Sequence, residues 1–375
     1  MYKRQVLQRI RMNPFFIGKN IPLWPHLSAI FDNSEKLPTF LTNWQLTFMG
    51  RDALRLVGNV LNLAEKKVLF PCYCCIEAVS PFLDSNLCFY DVELPGFHIP
   101  IDELIDKISH EQISAIVVID YFGQVESRLP ELYEACKEYN VVLIEDCAQS
   151  LLSNGVGNFC HVATTSLRKL MPCPDGGAFK INATDLKPIF KSVKMKRGVV
   201  NDIAALLIII IDVLHLEELN LNRGHFEKIF PFLKRMKQKT RSVMKPSHFC
   251  ERMLTRVKPD VICTARRERW LFWKDQLKTL DVKFAMPTLA DNVCPLGFPI
   301  LFGSKNIRDN ILKFMSKRGI HLKVHWPVPN FIPSGFTTSL KMADRSVTLP
   351  VFPELSWAKM KHISNLLKEA LNKVV

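Results

Sequence analysis

The sequence predicts an α/β fold in which a large domain carries a mostly parallel sheet flanked by helices and a smaller C-terminal α/β domain follows. Three observations predict it. Strand-like and helix-like segments alternate from about residue 47 to residue 147, and three of those strands end in distinctive polar residues. The alternation fails after Lys187 and resumes in a second α/β unit past Arg266. Strands that alternate with helices pair in parallel, because each crossover needs an intervening element to bring the chain back, and helices then cover both sheet faces.

Residues 1–40 are rich in proline and aromatics without periodicity, so they read as an extended segment packed over a domain surface. Thr47 to Gly50 reads as a short strand ending in glycine, and Asp52 to Leu63 spaces its apolar residues as a helix does. The same alternation continues with Lys67 to Phe70, Ile76 to Leu83, Leu87 to Val92, Ile101 to Ile108, Ala115 to Tyr121, Leu129 to Tyr139 and Val141 to Cys147. Sheets of this kind place ligands beyond the carboxyl ends of their strands, where Gly50-Arg51, Asp120-Tyr121-Phe122-Gly123 and Glu145-Asp146-Cys147 stand. From 187 to 258 the pattern becomes basic and helical around the apolar block Ile203 to Ile211, shorter than the roughly 20 residues that span a bilayer. That block predicts a buried or subunit-interface helix. Beyond it Arg266 to Leu280 and Asn306 to Arg318 read as helices, Ile320 to Val324 as a strand, and Ser356 to Val374 as a terminal helix. The predicted division is therefore 1–40, 41–258 with 187–258 as its divergent part, and 259–375.

A chain of 375 residues, 48% hydrophobic and 23% charged, can bury a substantial core. Its basic N-terminus lacks the uninterrupted apolar run of a secretory signal, which predicts a cytoplasmic protein. Eleven cysteines, several inside apolar strand-like runs, suit a reducing compartment and imply no disulfide framework. The balance of 50 Lys and Arg against 36 Asp and Glu gives a net charge of +14, which favours an anionic partner. Much of the excess lies between Lys228 and Lys245, interleaved with Phe230 and Phe232, and reads either as a solvated helix face or as a patch for peripheral contact with an acidic membrane. No nucleic-acid partner is expected. Cys72, Cys74, Cys75 and Cys88 follow no standard zinc spacing and have no histidine beside them, so they are expected as core thiols rather than a metal site. His321 and His325, four apart, are expected to pack on one sheet face.

Two stretches carry chemistry. In 141–150 an apolar run meets Glu145 and Asp146 at a strand end, and because strand side chains alternate, only one of the acids can face a ligand there. In 164–177 three adjacent hydroxyls, Thr164, Thr165 and Ser166, precede Arg168 and Lys169, and the paired Gly176 and Gly177 follow. Hydroxyls with cationic side chains suit a phosphate, and glycines let backbone approach closely.

In their order and spacing these residues resemble the DegT/DnrJ/StrS family of sugar-nucleotide aminotransferases, which have the fold-type I arrangement of pyridoxal phosphate enzymes. Gly50-Arg51-Asp52-Ala53-Leu54, Pro71-Cys72-Tyr73, Tyr121-Phe122-Gly123-Gln124, Glu145-Asp146-Cys147-Ala148-Gln149, and Lys169 ahead of Gly176-Gly177 carry the likeness, with Arg266-Arg267, Gly319-Ile320 and Leu349-Pro350 later. The chain departs from the family pattern with Arg51 in place of a small hydroxyl residue, and Cys75 stands where the family stacks an aromatic ring on the cofactor. The resemblance implies pyridoxal 5'-phosphate held covalently on Lys169, with Asp146 at its ring nitrogen. It further implies Gln149, Tyr73 and Cys75 around the ring, and Gly50, Arg51, Thr164 and Ser166 at the phosphate. It implies an aminotransferase, usually a homodimer, taking an amino group from an amino acid such as glutamate to a nucleotide-linked keto-sugar in polysaccharide or related sugar biosynthesis. Two other functions fit parts of the chain. Ser166 and Lys169 match the Ser-x-x-Lys pattern of acylases, and a scaffold that kept the fold without the chemistry would also fit Cys75.

Overall fold

The computed structural model describes residues 21, 23–31, 37–213 and 243–374. Most of the N-terminal segment, and the basic stretch from Lys228 apart from its last residues, lie outside them. Ten strands form two sheets: β1 (Gln45–Thr47), β2 (Lys67–Pro71), β3 (Asn86–Tyr90), β4 (Ala115–Ile119), β5 (Val142–Asp146), β6 (Val162–Ser166) and β7 (Gly177–Ile181) in one, β8 (Lys283–Phe284), β9 (Gly297–Leu301) and β10 (Ser346–Pro350) in the other. The large sheet runs β1-β7-β6-β5-β4-β2-β3. Every pair from β3 to β6 is parallel, while β7 is antiparallel to both β6 and β1. The small sheet is antiparallel, in the order β10-β9-β8.

Helices α1 (Gly50–Val60), α2 (Ile76–Val79), α3 (Ile101–His110) and α4 (Leu129–Glu138) supply the crossovers of the large sheet. Each long one is amphipathic; α1, for instance, buries Ala53, Leu54, Leu56 and Val57. Central strands are apolar on both faces because both are covered. Ile144, Val162 and Val117 join a core that continues into the small sheet, whereas Leu143, Ala163 and Val118 join the core under α3 and α4.

Further along, α5 (Lys187–Lys191), α6 (Val199–Val213) and α7 (His248–Leu254) lie in the divergent part, and α8 (Pro259–Leu277) leads into the small sheet. The last helices are α9 (Lys305–Ser316), α10 (Thr337–Arg345) and α11 (Trp357–Val374). Side-chain caps start α7 at Ser247 and α9 at Ser304, each bond satisfying an otherwise orphaned amide. The apolar block expected as a buried or interface helix is α6. It buries Ala204, Ala205 and Ile209 but leaves Ile203, Leu206 and Ile210 exposed. Among the described residues no helix is long and apolar enough to cross a membrane.

Two strand expectations are corrected. The strand predicted from Thr47 to Gly50 is β1, which ends at Thr47, and Gly50 already opens α1. Ile320 to Val324 forms no strand; it reaches the small sheet only through one bridge between Lys323 and Thr348. Both edges of β9 are taken by β8 and β10, so this segment could only join the outer edge of β10, and it does so at a single residue.

Candidate active site

Because β1, β2, β4, β5 and β6 point the same way, their carboxyl ends share one edge of the large sheet. Gly50 and Arg51, Cys75, Tyr121 to Gly123, Asp146 to Gln149, and Lys169 all follow strands at that edge. Register then decides which side chains meet. Asp146 pairs with Thr164 and Ile119, and aligned residues of neighbouring strands point to the same face. Asp146 and Thr164 therefore share a face, and Ser166, two residues on, lies on it too. Glu145 pairs with Ala163 on the other face, where its carboxylate accepts a hydrogen bond from the Gly157 amide at 2.7 Å.

Asp146 is buried, and one of its oxygens accepts from the Ala148 amide at 3.0 Å. Burial pushes its pKa up, and the Lys169 charge pulls it back down. Lys169 sits in the short turn after β6, with its Nζ 5.9 Å from the centroid of the Trp326 ring. The same ammonium acts on Cys75, whose thiol pKa is raised by burial and lowered in turn by Lys169. It also bears on His325, which burial holds well below the usual imidazole range, with Lys323 and Lys169 adding to the effect.

Glycine at 50 and 177 lets the start of α1 close on the ends of β6 and β7. A Cβ on Gly50 would lie 2.8 Å from that of Ser166, and one on Gly177 would lie 2.3 Å from the Gly50 nitrogen. The helix N-terminus, with its free amides, is thus set beside Ser166. Arg51 turns toward an ion pair with Glu77, and burial lowers its pKa. Its Nε and the Thr164 hydroxyl are both buried without a hydrogen-bond partner among the described residues. Two orphaned donors beside a helix N-terminus are what a phosphate would satisfy, and the Lys169 amine with the Asp146 carboxylate would serve the aldehyde and ring nitrogen of one heterocycle. The residues present fit pyridoxal phosphate.

Gln149 and Tyr73 have other partners as well. The Gln149 side-chain oxygen accepts from the Phe122 amide at 3.1 Å, which pins the 121–123 turn where Phe122 has a left-handed φ of 54°. Tyr73 is fully buried, its ring 5.7 Å from Tyr121 and 5.3 Å from Trp326, and its hydroxyl points to Ser346 of the small sheet. It forms the wall between the two sheets. The Ser166 hydroxyl side faces α1, and Arg168 is exposed.

His325 was expected mainly to pack, Trp326 was not singled out, and Arg266 only carried the family likeness; all three stand at the site. His325 is bonded to Thr348 at 2.8 Å, and Trp326 brings an aromatic face to Lys169 from the second lobe. Arg266, fully buried, donates to the Leu170 carbonyl beside Lys169 and to the carbonyls of Pro295 and Leu296. The Trp326-Pro327 pair at the head of a proline-punctuated loop was the available signal for the first two, and an arginine on a mostly apolar helix face the signal for the third.

Residues 51–201 match the model of the DegT/DnrJ/EryC1/StrS aminotransferase family. The chain is 27% identical over 178 residues to the lipopolysaccharide biosynthesis protein RfbH of Salmonella typhimurium, covering 45% of this chain and 38% of that protein. It is 26% identical over 161 residues to GDP-perosamine synthase of Vibrio cholerae, covering 40% and 43%. The matched segments thus span about two fifths of these relatives. Among solved structures, Helicobacter pylori PseC, an aminotransferase involved in pseudoaminic acid biosynthesis, superposes with a TM-score of 0.66 at 16% identity over 99% of this chain and 96% of its own. That likeness shows the fold, an α/β architecture.

Proposed function

We propose that this chain, which matches the DegT/DnrJ/EryC1/StrS aminotransferase family over the segment that carries Asp146 and Lys169 and shares its fold, is a pyridoxal phosphate-dependent sugar aminotransferase. The observation that carries the reading is the meeting of Lys169 and Asp146 at one strand edge with the unpartnered Arg51 and Thr164 donors beside the start of α1. When bound, the cofactor supplies an aldehyde carbon and an electron-withdrawing ring.

The chain's residues do the rest. The Lys169 amine would hold the cofactor's aldehyde and is the base that would move a proton at the substrate carbon. Asp146 keeps a proton on the ring nitrogen; buried beside a cation, its carboxylate has little competition from water. The amides of Gly50 and Arg51, with the Thr164 and Ser166 hydroxyls, bind the phosphate, and the Arg51 guanidinium adds charge there. Gln149 and Cys75 would stand beside the ring, with Tyr73 backing the pocket. Trp326 and His325 close the opposite side and exclude water from Lys169.

The acceptor we propose is a nucleotide-linked keto-sugar and the donor an amino acid, with glutamate the first to try. The name of GDP-perosamine synthase supports a nucleotide-sugar acceptor, that of RfbH supports a role in polysaccharide biosynthesis, and the net charge of +14 suits a diphosphate. A homodimer is proposed as well, supported by the apolar face of α6 left exposed in a single chain. The domain division at 258, which α8 follows directly, and a cytoplasmic setting with peripheral membrane contact through Lys228 to Lys245 belong to the same reading. Incubation with pyridoxal phosphate, glutamate and a panel of nucleotide keto-sugars should yield an amino-sugar nucleotide detectable by mass. Lys169→Ala should abolish it, and turnover retained in that variant would overturn the assignment.

A further inference from the structure

On the face of the large sheet turned away from Lys169, a second cluster has no part in the chemistry above. Asp120, Glu145 and Cys147 each bring one donor atom to within 4.8 Å of the others. All three are buried, at 1%, 0% and 0% exposure. Sheet parity puts them there: Glu145 alternates with Asp146 along β5, Cys147 comes two residues after Glu145, and Asp120 directly follows the neighbouring β4, one residue past the Ile119 that pairs with Asp146.

The hydrogen bonds of the two carboxylates divide in the same way. One Asp120 oxygen accepts from the Ser150 hydroxyl at 2.6 Å, and one Glu145 oxygen accepts from the Gly157 amide at 2.7 Å. The remaining oxygen of each, Asp120 Oδ1 and Glu145 Oε2, is buried with no partner among the described residues. Two carboxylates held by one oxygen, with the others converging and unsatisfied, are oriented as the outer shell of a metal site orients its ligands. A further thiol lies beside this set rather than within it, near enough to Glu145 to hydrogen-bond with it. Cys160, also fully buried, lies just ahead of β6, and its sulfur accepts from the Asn182 amide at 3.5 Å. The Glu145 carboxylate is the main charge acting on its thiol, and burial together with that charge pushes the thiol pKa well up.

We propose that Asp120, Glu145, Cys147 and Cys160 form a structural site for a divalent zinc ion. Asp120, Glu145 and Cys147 already converge, and a turn of the Cys160 side chain would complete a set of two sulfur and two oxygen donors, which suits zinc, whereas calcium and magnesium require more oxygens and usually water. On binding, the two thiols and the protonated carboxyl of the Asp120–Glu145 pair release their protons to solvent, and the sulfurs and both carboxylates become ligands. Lys180, whose charge reaches the Cys160 thiol, offsets part of the resulting negative charge. Without a cation the two carboxylates cannot both ionise; Asp120 is driven well above the usual carboxylate range, by burial first and then by Glu145. Glu145 and Cys147 bracket Asp146 in the chain, so an ion on this face would fix the backbone that presents Asp146 on the other.

Zinc content of the protein purified without chelators, read by plasma mass spectrometry, tests this. About one zinc per chain is expected, retained through dialysis, both in the native chain and in Lys169→Ala, and lost in Cys147→Ser/Cys160→Ser. Retention of zinc in Lys169→Ala separates this site from the proposed aminotransferase centre. Protein from cobalt-supplemented cells should show a thiolate-to-cobalt charge-transfer band in the near ultraviolet, so the native chain decides the question even where the double variant fails to fold. A metal-free native protein without that band would overturn the proposal in favour of a carboxyl pair sharing a proton. Zinc kept by a folded double variant would also overturn it.

Discussion

Glu145 and Asp146 are adjacent in the chain and serve opposite faces of the sheet, and this separation follows from strand geometry alone. It was legible in the sequence, because two consecutive strand residues cannot face the same way. Asp146→Asn should still fold and bind the cofactor, since the carboxamide keeps an acceptor for the Ala148 amide, but turnover should fall by about a hundredfold or more as the ring nitrogen loses its charge. A steady-state assay with cofactor occupancy read in parallel checks this. The placement of His325 and Trp326 was not legible, because residues 156 and 157 positions away from Lys169 in sequence meet it only through the packing of the second lobe. His325 has a measurable consequence. Burial first, then Lys323 and Lys169, keeps its imidazole neutral in the folded chain, whereas the unfolded chain takes up a proton near pH 6.5. The unfolded state therefore binds more protons as pH falls, and His325 should contribute a loss of stability of about 1.4 kcal/mol per pH unit below that value. Denaturant titrations at several pH values should show a shallower acid limb in His325→Gln than in the native chain.

Among the elements, α1 was readable to within three residues from its apolar spacing, although the glycine that opens it was read as the end of the preceding strand. Its contact with β6 was not readable, because only the assembled sheet brings Gly50 to Ser166. Gly50→Ala would put a Cβ 2.8 Å from that of Ser166 and force the two apart. The expected result is a loss of about 1–3 kcal/mol in stability together with weaker cofactor binding, measured by thermal denaturation and by cofactor titration. The small sheet shows the opposite balance. The helices α9 and α11 declare themselves by periodicity, while β9 and β10 carry no marked alternation and β10 follows α10 without a break, so the segment 320–324 looked more strand-like than it is. Pairing partners, absent from any local pattern, decide such cases.

Across the whole molecule, the two sheets are tied together by Arg266 on α8. It reaches Leu170 beside the lysine and Pro295 and Leu296 in the loop before β9, and the Leu296 amide in turn donates to Phe122. Arg266→Ala would leave buried carbonyls unpaired and should cost about 3 kcal/mol or more, with cofactor release at lower temperature than unfolding of the sheet itself. Differential scanning calorimetry of the two proteins checks this. The large sheet is readable in the alternation of strands and helices, and the lysine in the ordered motifs that run along it. Arg266 was noted in the sequence for its family likeness, but its contact between the two sheets was not legible, because its carbonyl partners come together only in the folded chain. The account depends above all on the cofactor being held by one particular amine. Borohydride reduction of the protein with pyridoxal phosphate, followed by peptide mass mapping, should find the phosphopyridoxyl group on Lys169 at high occupancy. An unmodified Lys169, with label scattered over surface lysines, would contradict it.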